Sequence, residues 1–344
     1  MTIAKAPLRL GFFTRVLDLA GPAERYRLAI EQIRHAERQG FDTAWVAQHH
    51  FHEDEGGLPA PFVFLAQAAA ATSRIRLGTG IVTLPLELPI RVAEDAAVLD
   101  LMSGERLEVG IGPGGNLSAF TAFGLDAAQR AELFNAHRQV LVDAWAGRAL
   151  AGGDRLYPDR PPLLDRIWQA TFTVEGARRA GAAGDGLMLS RTQPRPAGQA
   201  GAPLDALQNP MIDAYLAALP AGREPRIMAS RSVFVADGAE EAERLVRQGF
   251  QRLRERLLRE KPDTAGESVE DLIAQSDFHA GTAEAVTGSL GADTVLARAT
   301  EFTVQVHSID PPHAFTLRSI ELVAQKVAPA LGWQARPDAA RQVA

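Results

Sequence analysis

Leu8-Arg9-Leu10-Gly11-Phe12-Phe13, then Pro22 to Gln39, then Thr43-Ala44-Trp45-Val46-Ala47, then Pro61 to Ala71: these consecutive stretches decide the fold. Short apolar runs alternate with stretches of helical periodicity, a β-α-β-α order. In the first helical stretch Pro22 suits the opening turn, Tyr26, Ala29, Ile30 and Ile33 share one face, and Gly40 stops the helix. Outward from there, strands are predicted at Ile75 to Gly80, Leu107 to Gly112, Arg166 to Ala170, Leu187 to Ser190, Arg226 to Val235 and Phe302 to Val306. Helices are predicted at Val92 to Met102, Ala127 to Ala146 and Val174 to Ala182. Repeated strand-then-helix order requires a parallel sheet covered by helices, because the crossovers are right-handed. Eight strands predict closure into an α/β fold of the (β/α)8 TIM barrel type, with insertions on the C-terminal face. An open doubly wound sheet normally carries a glycine-rich phosphate turn after strand one. Here Thr14-Arg15-Val16 follows Phe13.

The 344 residues, 46% of them hydrophobic, suffice for one large core. Residues 1–333 read as a single barrel domain and 334–344 as a tail expected to be disordered. A formal charge of -6, with Lys and Arg spread among Asp and Glu, points away from nucleic acid and toward a small-molecule partner. The basic stretch Arg247 to Lys261 is diluted by Glu255 and Glu260 and reads as a solvated helix face. No apolar run reaches the length of a bilayer span, the N-terminal stretch lacks a cleavage pattern, and there are no cysteines. A cytoplasmic protein without disulfides or a cysteine nucleophile is expected. Three segments break the rhythm: Ala151 to Pro162, Thr192 to Pro210 and Pro262 to Gly281. The second follows strand six directly and reads either as a lid over the catalytic face or as a surface loop.

In a barrel of this kind the strand-to-helix junctions converge on one mouth. Strand two ends in Gln48-His49-His50-Phe51-His52, three of the chain's eight histidines. Such a concentration points to function, with His49 and His50 as the catalytic candidates. A metal hydrolase is the rival reading, since His50 and His52 share one side of an extended segment and His307 and Asp310 follow strand eight. That chemistry calls for further histidines at strands five and six, where Gln169 and Ser190 stand. Strand three carries Thr79 and Gly80, and strand four runs into Gly112-Pro113-Gly114-Gly115. Bare backbone there admits a flat ligand, or simply serves tight turns. Thr171 and Thr173 stand at a helix start, a seat for phosphate or an ordinary cap. Arg191, at the end of strand six, reads as a counter-charge or a surface arginine.

Taken in order, these junctions resemble the bacterial luciferase-like flavin-dependent monooxygenase family over nearly the whole chain. The resemblance rests on Gly40-Phe41-Asp42, Ala47-Gln48-His49-His50-Phe51, Leu77-Gly78-Thr79-Gly80, Leu84-Pro85, Glu94-Asp95, Leu99-Asp100 and Ser103-Gly104-Glu105-Arg106, with Phe123-Gly124 and Val327-Ala328-Pro329-Ala330-Leu331. It implies an FMN-dependent monooxygenase in which reduced FMN, delivered by a separate flavin reductase, forms a C4a-peroxide with O2 and oxygenates a small organic substrate. It implies His49 beside the flavin with His50 as neighbour, and a non-proline cis peptide joining Gly80 to Ile81. It makes Thr79, Gly80, Gly112, Trp168, Gln169, Thr173 and Arg191 the cofactor-binding candidates. Luciferase has Glu where Gln48 stands, and Cys and Arg where Gly112 and Pro113 stand. Without that arginine the flavin phosphate is left to Thr173, the helix amides and Arg191. A deazaflavin-dependent hydride-transfer enzyme and a flavin-binding protein without turnover are the alternatives. The small residues Ala66 and Ala68 to Ala71 predict a homodimer through the second helix, as the family often forms.

Overall fold

The computed structural model describes residues 7–198, 201–260 and 268–335. In chain order the elements are β1 (Arg9–Thr14), α1 (Pro22–Arg38), β2 (Thr43–Val46), α2 (Pro61–Ala71), β3 (Arg76–Thr79), β4 (Val82–Thr83) and α3 (Pro89–Met102). Then come β5 (Leu107–Gly112), α4 (Leu117–Ala122), α5 (Arg130–Trp145), β6 (Ile167–Thr171), α6 (Val174–Ala182), β7 (Gly186–Leu189), α7 (Leu204–Ala218) and β8 (Ile227–Val235). The last are α8 (Ala239–Glu260), α9 (Val269–Ala274), β9 (Phe278–Gly281), α10 (Ala283–Gly291), β10 (Glu301–Gln305) and α11 (His313–Leu322). Strands β1, β2, β3, β5, β6, β7, β8 and β10 pair in parallel in that order, and β10 closes back onto β1. The expected (β/α)8 barrel is therefore the fold.

Strand alternation sorts each residue to one side of this wall. Leu10 and Phe12 of β1 are fully buried outward against the helices, in the same apolar layer as Ile33 of α1 and Leu65 of α2. Arg9, Gly11 and Phe13 point inward. At the narrow end the interior is charged: Glu108 of β5 accepts from Arg76 Nε at 2.6 Å, and Arg9 reaches both Glu108 (3.5 Å) and Glu301 (3.4 Å). Two indoles sit above and donate downward, Trp45 Nε1 to Glu301 at 2.6 Å and Trp168 Nε1 to Glu108 at 2.8 Å. Burial pushes the Glu108 carboxyl up, but the two arginines and the indole outweigh it and hold it below its ordinary range.

One gap in the wall shapes the mouth. The β3–β5 ladder stops after Gly78, and pairing resumes only at Val82 of β4 with Ile111. Thr79 spans the interruption: its hydroxyl donates to the Gly110 carbonyl at 2.8 Å and accepts from the Gly110 N–H at 2.9 Å.

Three sequence expectations need correcting. The segment Thr192 to Pro210 is not irregular throughout, because α7 begins at Leu204 and continues through Pro210. A proline inside a helix costs about 3 kcal/mol. Burying Leu204, Met211, Ile212 and Tyr215 on one face, at roughly 1.5–3 kcal/mol for each large apolar side chain, outweighs it. Gly181 of α6 permits the close approach, since a Cβ there would lie 2.2 Å from the Tyr215 carbonyl oxygen. Of the segment Pro262 to Gly281, residues 262–267 lie outside the described residues, and the remainder forms α9 and β9. Ala68 and Ala69 are buried against the barrel instead of facing a partner. The outward face of α2 is Val63, Gln67 and Ala70, continued on α3 by Val98, Leu101 and Met102. Of the predicted tail, residues 336–344 lie outside the described residues. Among the described residues no helix is long and apolar enough to cross a membrane.

Candidate active site

Inward side chains near the C-terminal ends of the strands build a mouth over the two indoles. Trp45, Trp168, Met188 and Met228 form its base, with Phe13, Ile81 and Ala170 packed on them and partly accessible. One wall is nearly bare backbone. The Gly80–Ile81 peptide is cis. A Cβ at Gly112 would lie 2.6 Å from Ile81 Cδ1, and one at Gly80 would lie 2.9 Å from the Phe13 ring. Glycine at these positions lets the backbone itself line the mouth.

His49 is held on the other side, where the chain leaves β2. Its backbone N–H donates to the Leu58 carbonyl at 3.0 Å, and the preceding Gln48 fixes the junction by donating to Glu87 (2.6 Å) and the Pro59 carbonyl (3.1 Å) and accepting from the Thr83 N–H (2.8 Å). Gly56 packs against the imidazole so closely that a Cβ there would lie 2.5 Å from His49 Nδ1. Arg15 Nη2 stands 3.5 Å from His49 Nε2. A guanidinium only donates, so Nε2 faces it with its lone pair and the ring proton sits on Nδ1. That Nδ1 has no hydrogen-bond partner. Burial, followed by the charges of Arg15, Arg191 and His50, pushes the His49 pKa down to about 3, so the ring is neutral at ordinary pH.

The sequence candidates separate into groups. Trp168 lies in the base, its single indole donor already spent below on Glu108, while Gly80 packs against Phe13, Gly112 against Ile81, and His49 beside Arg15 at the β2 junction. His50 turns away from His49 and packs edge-on against Phe123, with ring centroids 5.0 Å apart. Thr79 lines the β3–β5 gap instead of the mouth, because both functions of its hydroxyl serve the wall. Gln169 lies on the outer side of β6, donating to Asp185 at 2.7 Å and accepting from Arg179 at 3.0 Å, so it does not face a ligand in the mouth. Thr173 caps α6, its hydroxyl accepting from the Gly176 N–H at 3.0 Å, and is exposed. Arg191 does reach the mouth, but toward Gln305 of β10, three strands round the barrel from β6 and Thr173. Arg15, Gly56 and Gln305 were absent from the sequence candidates. His307 contacts Gln32 and Asp18 rather than the histidine run, and His52 is exposed. Among the described residues no group of three or more His, Asp or Glu is arranged to hold a metal ion.

An apolar base, glycines packed against Ile81 and Phe13, and a neutral imidazole beside Arg15 suit a flat ring with a polar edge. A closed parallel barrel of this kind belongs to the (β/α)8 class of α/β folds. More narrowly, the chain belongs to the luciferase-like monooxygenase family, whose profile matches residues 10–301. A monooxygenase from Streptomyces bottropensis superposes with a TM-score of 0.72 at 26% identity, over 94% of this chain and 99% of that one. The oxygenating constituent of 3,6-diketocamphane monooxygenase from Pseudomonas putida shares the fold, with a TM-score of 0.72 at 20% identity over 94% and 98% of the two chains. The oxygenase component of the flavin-dependent trigonelline monooxygenase of Acinetobacter baylyi is 31% identical over 163 residues, 47% of this chain and 39% of that protein. Curated relatives of this kind are matched over only 24% to 55% of their lengths.

Proposed function

We propose that this protein is a flavin-dependent monooxygenase that uses reduced FMN and O2 to oxygenate a small organic molecule, with the reduced flavin supplied by a separate reductase. The observation that carries the proposal is the buried, neutral His49 imidazole at the β2 junction of a barrel whose β3 and β5 tips end in Gly80 and Gly112 above an apolar base. Family membership supports it, as does the Pseudomonas putida relative, which is solved in complex with FMN. The Acinetobacter baylyi relative is named as the oxygenase component of its enzyme, which supports a partner reductase.

Bound reduced FMN would supply the two electrons by which O2 delivers one oxygen atom to the substrate while the other leaves as water. Gly80, Ile81 and Gly112 would hold the ring, and the α6 N-terminus with Thr173 would take the phosphate. Phe13, Ile81 and the indoles below exclude water from the ring. His49, with its proton on Nδ1, holds or relays a proton beside the reacting atoms.

Titration with oxidised and reduced FMN, followed by exposure to O2, tests the cofactor and the reaction class together. Reduced FMN is expected to bind and to consume O2 more slowly than free reduced flavin. Tight binding of a deazaflavin with no binding of FMN would instead favour hydride transfer, the chemistry of F420-dependent proteins that share this fold.

The proposal includes a cytoplasmic homodimer packed through the exposed Val63, Val98, Leu101 and Met102 face. Light scattering at micromolar concentration should read two chains per particle; a single chain would sink that part.

A further inference from the structure

Two guanidiniums stand at the mouth, and among the described residues neither makes an ion pair with a carboxylate. Arg15 follows β1; its Nη2 donates to the Glu55 carbonyl, and its Nε has no hydrogen-bond partner. Arg191 follows β7 and uses only Nε, on Gln305 Oε1, which leaves both terminal nitrogens without a partner among the described residues. Its Cζ stands 6.0 Å from the centre of the Phe13 ring. Phe13 lies two residues before Arg15 and pairs with Gln305 in the β1–β10 register, so the two cations flank one short piece of wall.

Three other enclosed arginines each have an acid in contact: Arg160 with Asp100 at 2.6 Å, Arg138 with Asp185 at 2.7 Å, Arg231 with Asp293 at 2.5 Å. The acids nearest Arg15, Glu55 and Asp310, act on it across space without an ion pair, and burial outweighs both. Of the neighbouring cations, Arg252 is spent on the Ile309 and Asp310 carbonyls, and Arg256 donates to the Asp54 carbonyl. Enclosing a cation without a counter-charge costs several kcal/mol. Burial accordingly pushes Arg15 down to about 10 and Arg191 down to about 9. A bound anion removes that penalty.

We propose that Arg15 and Arg191 form a seat for a carboxylate or sulfonate carried by the organic substrate, which places the rest of that molecule beside His49. The word substrate rests on the oxygenase reading above; the anion seat itself does not. The flavin phosphate is the other anion of similar chemistry, and the α6 N-terminus, three strands from Gln305, suits it better.

Isothermal titration with benzoate, benzenesulfonate and benzamide, with and without oxidised FMN, tests the seat. Both anions are expected to bind at least about tenfold more tightly than benzamide, the scale of a charge-assisted hydrogen bond. Arg191→Gln and Arg15→Gln should each weaken anion binding by about tenfold or more while FMN affinity changes by less than about twofold. Equal affinity for benzoate and benzamide overturns the proposal. So does a loss of FMN affinity in both variants that riboflavin does not share, since the pair would then clamp the cofactor phosphate. Should Arg15→Gln fail to fold, Arg191→Gln carries the comparison together with titration at raised ionic strength, where anion binding must weaken; binding indifferent to salt also overturns the seat. A wild-type protein that binds benzoate but not FMN sinks the oxygenase reading and leaves the seat standing.

Discussion

Replacing His49 with Ala lowers oxygenation by roughly 10²- to 10⁴-fold, the range of a positioned acid–base group, while FMN binding stays close to wild type. The imidazole is enclosed by Gly56, Arg15 and the Leu58 segment, and its Nδ1 has no partner among the described residues. A polar atom left unsatisfied at that depth is costly unless a ligand takes it. Truncation removes that atom without disturbing the glycine wall opposite, so binding and turnover separate. Because His49 titrates near 3, its ring does not change charge between pH 5 and 8, and the wild-type rate should show no step there that the variant lacks. Fluorescence titration of FMN and product yield per reduced flavin measure the two quantities. Equal product yield in both proteins removes His49 from the chemistry.

Glu108→Ala destabilises the fold by about 3–5 kcal/mol, the usual result of removing one partner from a buried ion pair. Glu108 is enclosed at the narrow end between Arg9 and Arg76 and accepts the Trp168 indole N–H. Its loss removes the buried carboxylate from Arg76 and leaves Arg9 with Glu301. Glu108→Gln keeps an acceptor for the indole and should fall between the variant and wild type. Urea unfolding followed by tryptophan fluorescence reads the midpoint. A Glu108→Ala midpoint indistinguishable from wild type would show that the charged layer contributes nothing to closure.

The barrel was legible because its evidence is periodic. Leu8 to Phe13, Thr43 to Ala47 and the later apolar runs each hold a strand, and Pro22 and Gly40 bracket α1 as their backbone preferences require. Helix α7 was hidden by Pro210, since local propensity carries no information about the face buried on α6. His49, Gly80 and Gly112 were legible as junction residues. Gln169 could have been set aside from sequence, because Trp168 and Gln169 are consecutive in a strand and cannot both face the same ring. Arg15 and Arg191 carried no such signal as a pair. Only closure of the barrel brings Arg191, after β7, onto Gln305, 114 positions further along the chain.

The charged layer beneath the two indoles acts as a stopper, and this fixes the traffic through the molecule. Whatever enters from the wide end must leave by it. A flat group bound deep in the mouth would then be held while a second molecule lay above it, and loading would run in sequence.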